Sequence, residues 1–110
     1  MSSEREDLNV LYDFYGCLLT SKQRRFFSDY YREDYSLAEI AEDEGISRAA
    51  VFDALKRCRQ ELTDYESKLH LAASFKKRLE LYEQIKSLGD KQICALIKEC
   101  INTEIEGGKL

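Results

Sequence analysis

The side chains best suited to chemistry gather around Phe52: Arg48, Ala49, Asp53, Lys56, Arg57 and Arg59 surround it in a stretch with no helix breaker. On a helix, cations at this spacing can neutralise the phosphates of a nucleic acid, the dominant source of affinity for such ligands. Arg48 can also donate in bidentate fashion to guanine, Ala49 and Phe52 can touch a thymine methyl, and Asp53 can accept from a cytosine amino group while repelling phosphate. Two other readings of the same residues stay open. Phe52 between Arg48 and Lys56 has the composition of a protein-binding anchor, or its ring is buried against the preceding helix. The charges then form a solvated mixed-charge surface.

Little else points to reactive chemistry. His70 is the sole histidine and falls in an amphipathic run, where it reads as a surface or packing residue. Glu39, Glu42, Asp43 and Glu44 cluster on one short helix, whose exposed carboxylates are solvated rather than tuned as acid and base. Cys17, Cys58, Cys94 and Cys100 form no CxxC pair and sit at helical core positions, which predicts buried free thiols rather than a metal site or disulfides. No phosphate-binding glycine loop or nucleophile elbow is present. We therefore expect a non-enzymatic protein with no catalytic residue, metal or cofactor.

Local signals define the elements that must position the Phe52 cluster. Ser36 and Glu39 form a capping box, so a helix starts at Leu37, with Leu37, Ile40 and Ala41 on one face. Gly45 suits the left-handed conformation that ends it. Ile46 fills the corner, Ser47 caps a second helix, and Val51, Ala54, Leu55 and Cys58 give that helix its own stripe. Small Ala41 and Ala54 let the axes cross closely. Two short helices around a tight turn, at about residues 36–57, are the sequence pattern of a DNA-reading helix-turn-helix.

Absence of proline and scarcity of glycine extend the helical reading to nearly the whole chain. An N-terminal helix carries Leu8, Leu11, Tyr12, Tyr15, Leu18 and Leu19 in one stripe and Val10, Phe14 and Cys17 in another. Either both stripes are internal, or Leu8, Leu11, Tyr12 and Tyr15 form the interface of a homodimer. Thr20 and Gln23 are a second capping box, ahead of a core-facing aromatic set of Phe26, Phe27, Tyr30 and Tyr31. Leu62, Tyr65, Leu69, Phe75, Leu79, Tyr82 and Ile85 continue as one or two helices behind the motif, closed by Gly89. A last helix from about Lys91 to Ile105 groups Ile93, Leu96, Ile97, Cys100 and Ile101 before a frayed tail. The predicted fold is all-α: a three-helix helix-turn-helix core with long flanking N- and C-terminal helices. Residues 1–88 form the helix-turn-helix domain, and residues 89–110 a C-terminal helix and flexible tail.

The run from Leu11 to Leu71, LYDFYGCLLTSKQRRFFSDYYREDYSLAEIAEDEGISRAAVFDALKRCRQELTDYESKLHL, resembles the YlxM-like bacterial proteins, with DYSLAEIAEDEGISRAAVFD its most specific string. Their helix-turn-helix is similar to region 4 of sigma factors. The resemblance implies a regulatory protein of the signal recognition particle pathway, since such proteins are typically encoded beside the particle's GTPase.

Composition complicates DNA binding. The chain carries a net charge of -4, with 44% hydrophobic and 35% charged residues, an ordinary soluble balance for one modest domain. Residues 20–64 hold eight basic and ten acidic groups, so their cations must segregate to one face to attract phosphate. No apolar run is long enough to span a membrane, and MSSEREDLN lacks the features of a signal peptide, which predicts a cytoplasmic location. Two functions follow as expectations. One is a homodimeric DNA-binding regulator; the other is an adaptor that binds the particle's RNA or its GTPase without reading DNA sequence.

Overall fold

A computed structural model of the chain describes residues 4–107, among which six α-helices and no strands are found. Helix α1 spans Glu4–Tyr15 and passes through a short 3-10 turn, Gly16–Leu18, to α2, Ser21–Phe27. A π-helical turn, Ser28–Arg32, extends α2. Helices α3, Leu37–Glu44, and α4, Arg48–Leu69, follow, and α5, Leu71–Leu88, and α6, Lys91–Gly107, close the chain. The expected all-α architecture is present, and the core is made by α1 to α4.

Each predicted cap is formed. Thr20 Oγ1 accepts from the Gln23 amide at 3.1 Å while the Thr20 amide donates to Gln23 Oε1 at 2.8 Å. Ser36 and Glu39 repeat the arrangement, with both bonds at 3.1 Å, and Ser47 Oγ accepts from the Ala50 amide. Gly45 has φ 66°, and the amides of Gly45 and Ile46 return to the carbonyls of Glu42 and Ala41. That paired closure satisfies two carbonyls which the end of α3 leaves open. A Cβ at Gly45 would meet nothing within 4 Å, so the cost of a side chain here is conformational alone. Gly45→Ala is expected to lower stability by about 1–2 kcal/mol in urea unfolding, without changing helix content.

Ile40, Val51, Leu55, Cys58 and Leu62 join Phe26 and Phe27 in one core, all nearly inaccessible to solvent. Phe26 and Phe27 of α2 and Tyr31 of the π turn are internal as their period requires, and Tyr30 is half-buried against the same core. Ala41 is buried at the α3–α4 crossing, and Ala54 packs partly against the same core. Arg5 of α1 ties off the end of the π turn, donating to the Tyr31 carbonyl at 2.9 Å and to Asp34 at 2.7 Å.

Several positions depart from the sequence reading. Tyr15 and Leu8 are only 1% and 6% exposed within a single protomer; they belong to its own core and offer a second copy no surface. Leu11 and Tyr12 are half-buried against that core. Cys17 and Cys100 are exposed and Cys94 is half-buried, so Cys58 alone is a buried thiol. The second motif helix is not short. Nothing between Ser47 and Leu69 breaks its stripe, and α4 continues for 22 residues.

What ends α4 is His70, which adopts φ 56° and lies between helices rather than within one. The corner is held from a distance. Tyr15 Oη donates to Glu66 Oε1 at 2.5 Å and accepts from the Leu71 amide at 3.0 Å. The Glu66 carboxylate accepts from the Ala72 and Ala73 amides at 3.1 and 3.0 Å. Three of the first open donors of α5 thus find partners on α1 and α4.

Helices α5 and α6 form an antiparallel hairpin, with Tyr82 Oη and the Arg78 guanidinium meeting Glu104 at one end and Cys94 Sγ meeting the Lys86 carbonyl at the other. Asp90 caps α6 through the Ile93 amide. A Cβ at Gly89 would lie 2.5 Å from the Ile93 side chain, so this turn needs glycine for space. Phe14 meets Phe75 edge-on at 5.5 Å and anchors the hairpin base to α1. The molecule is 58 Å long and 26 Å across, with a radius of gyration of 17.8 Å. A compact chain of this length would have about 13 Å, so the hairpin projects from the core. Helix α6 continues to Gly107, past its expected end at about Ile105, and the rest of the tail expected to fray, residues 108–110, lies outside the described residues.

Candidate nucleic-acid interface

Helix α4 follows the α3 turn as the second helix of a helix-turn-helix, its inner stripe of Val51, Leu55, Cys58 and Leu62 fully buried. Burying that stripe turns the opposite side outward. Arg48, Ala49, Asp53, Lys56 and Arg57 are exposed, and Phe52 is 48% exposed. Phe52 is therefore not absorbed into the contact with α3. Arg59 alone is turned aside: it is half-buried and donates to Tyr31 Oη at 2.9 Å. That bond braces α4 against the π turn.

At about 100° per residue, Arg48, Phe52 and Lys56 fall on one flank of the outward face, Arg57 on the other, and Ala49 and Asp53 between them. Both flanks have carboxylates nearby. Lys56 borders a shallow hollow shared with Glu4 and Asp7 of α1, whose carboxylates lower its potential for phosphate. Arg57 borders two hollows, one with Lys22, Gln23 and the α2 cap Thr20 that no carboxylate lines, and one with Glu61, Asp64 and Lys68 of its own helix. Lys22 is exposed, with its ammonium 5.6 Å from the centre of the Phe26 ring. No local feature marks Lys22 as a neighbour of α4, because their adjacency comes from the packing of α2.

The folded core takes up many of the remaining cations. Arg5 pairs with Asp34, Arg32 with Asp13 and Arg25 with Glu44, the last through two bonds of 2.8 and 3.0 Å. Glu39 is occupied as a cap and Glu44 as a partner, so the acidic cluster of α3 is partly neutralised. Arg48, Lys56 and Arg57 have no protein partner among the described residues. With Arg5, Arg25 and Arg32 held by carboxylates elsewhere, Arg48, Lys56 and Arg57 are the unpaired cations of this face, alongside Asp53.

Reactive groups are not concentrated here. Burial, with the nearby Glu61 carboxylate, pushes the Cys58 thiol up to about 11, so it is a packing residue rather than a thiolate nucleophile at neutral pH. No three His, Cys, Asp or Glu side chains gather as a metal site among the described residues. Likewise, no helix among them is long and apolar enough to cross a membrane.

Residues 2–100 match the family model described as "Putative helix-turn-helix protein, YlxM / p13 like". The chain is similar to a UPF0122 protein of Halalkalibacterium halodurans, 52% identical over 77% of this chain and 78% of the relative. A UPF0122 protein of a Geobacillus species is 48% identical over 84% and 89% of the two chains. One from Streptococcus pneumoniae is 49% identical over 71% of each. A match over nearly the whole chain, together with the capped α3–turn–α4 geometry, places this protein in the YlxM/p13-like helix-turn-helix family.

Proposed function

We propose that the outward face of α4 binds nucleic-acid phosphates, and that the protein is a non-enzymatic DNA-binding regulator within the signal recognition particle pathway. One observation carries the binding assignment: Arg48, Lys56 and Arg57 are free on the exposed side of the second motif helix while the neighbouring arginines are internally paired. Lys22 extends the face from α2. The pathway assignment rests on the likeness to YlxM-like proteins. In this reading residues 1–88 hold the binding function, residues 89–110 are a C-terminal helix and tail, and the protein works in the cytoplasm.

A second reading is favoured by Phe52 and Asp53. An exposed aromatic ring beside a carboxylate at the centre of the face suits an RNA or protein surface better than a uniformly anionic groove. The ligand is then the particle's RNA or its GTPase. Arg59 takes no part in either reading, because its guanidinium braces Tyr31.

A salt-titrated anisotropy assay tests both, comparing duplex DNA from the protein's own operon with signal recognition particle RNA, each with and without the GTPase. Lys56→Ala with Arg57→Ala is expected to weaken binding roughly tenfold on every sequence and to lower the salt slope by about one unit per lost contact. Unchanged affinity and slope would remove α4 as the phosphate-binding surface. Selective duplex binding supports the regulator; binding confined to the RNA or the GTPase complex supports the adaptor.

A further inference from the structure

The α5–α6 hairpin leaves most of its apolar surface uncovered. Phe75, Leu79, Tyr82 and Lys86 on α5 are half-buried toward α6, yet no residue of α5 is buried, and among the described side chains of α6 only Ile97 is. A second stripe on each helix stands open to solvent: Leu81, Ile85 and Leu88 on α5, and Ile93, Leu96 and Cys100 on α6. Leu88 is 88% exposed and Leu96 57%. Alternating steps of three and four residues in both stripes are the spacing of a helix–helix seam.

The two stripes share one side of the hairpin. At about 100° per residue, each lies a quarter-turn or more from the side facing the other helix, in the same rotational sense when viewed from its own N-terminus. Because the helices run in opposite directions, those equal senses bring both stripes to a common face.

Charge and size indicate what covers it. Residues 71–107 carry six basic and six acidic side chains, whereas residues 1–70 carry ten and fifteen. A neutral hairpin has no excess of cations for nucleic acid and meets no net repulsion from its own copy. Helices of 18 and 17 residues are about 26 Å long and side by side about 20 Å wide. Their face spans on the order of 500 Å², so two copies together bury about 1,000 Å² or more, the area that a specific interface has to clear.

We propose that the protein dimerises through this face, two α5–α6 hairpins packing as a four-helix bundle. The interface is distinct from α1 and holds whatever α4 binds. In sedimentation equilibrium of the full chain, the wild type is expected at twice its 12.8 kDa, and Ile85→Lys with Leu96→Lys at the monomer mass with the α1–α4 core still folded. Leu88→Gln changes a side chain that the protomer does not use, and raises the dimer dissociation constant about tenfold or more. A wild type that stays monomeric from about 1 to 100 µM, or a Leu88→Gln chain with an unchanged dissociation constant, would overturn the proposal, whatever happens to the folding of the double variant.

Discussion

Phe27→Ala lowers the stability of the folded chain by about 3–5 kcal/mol, the range for emptying a large aromatic site in a closed core. Phe27 is wholly buried, and its ring lies parallel to Tyr12 at a centroid distance of 4.5 Å, with Tyr31 on it at 4.6 Å. Beyond Tyr12 lies the Arg32 guanidinium, 4.6 Å from the ring centre and itself held by Asn9 and Asp13. Phe27 is the middle of a column that joins α1 to α2. Removing it leaves a cavity and also unseats Tyr12, so relaxation cannot recover much of the loss. At about 4–8 °C per kcal/mol for a domain near this size, the midpoint of thermal unfolding falls by roughly 12–40 °C. Phe52→Ala is the control. Half exposed and without a ring partner, it should change stability by no more than about 0.5 kcal/mol. A Phe27→Ala loss below about 1 kcal/mol would show that α1 is held by other contacts.

This contrast marks what could be read from residues in order. Ser36, Glu39, Gly45, Ser47, Thr20 and Gln23 act within a few residues of themselves, and local chemistry determines their roles. Period alone also assigned Phe26, Phe27 and Tyr31 to the interior. The first helix was ambiguous because a stripe states that it is covered, not by which copy; the packing of α4 onto α1 decided it for Leu8 and Tyr15. Arg59 looked like its neighbours Lys56 and Arg57 until Tyr31, distant in sequence, offered it an oxygen. His70 carries no local signature for its left-handed conformation. That conformation is imposed by Tyr15 and Glu66, which lie 51 positions apart. The open stripes of α5 and α6 were legible as apolar but not as uncovered, since burial depends on how far the hairpin projects.

The α4–α5 corner should fail when either end of its network is removed. Tyr15→Phe strands the Leu71 amide and takes a donor from Glu66, at a cost of about 1–3 kcal/mol for a partly buried unpaired group. Glu66→Ala uncaps the Ala72 and Ala73 amides, at about 0.5–2 kcal/mol by analogy with loss of a helix cap. Burial of Glu66 favours its neutral form, but the bonds from Tyr15, Ala72 and Ala73 together outweigh this and hold its carboxyl below its ordinary 4.5. Its contribution is therefore complete above the unfolded-state value and is lost as pH falls below about 4.5 through the lower folded value. Tyr15 runs the other way. Burial first, and then the bond to Glu66, raise its phenol above its ordinary 10.0, so its contribution persists below that value and is lost as pH climbs through the raised one. The wild type should lose corner stability at both extremes, while Glu66→Ala flattens the acid side. Hydrogen exchange at Leu71, Ala72 and Ala73 measures it directly: both variants should exchange faster there at neutral pH, with the α1–α4 core amides largely unchanged in Glu66→Ala. Unchanged protection at all three amides would mean that the corner is held by packing at Phe14 and Phe75 rather than by this network.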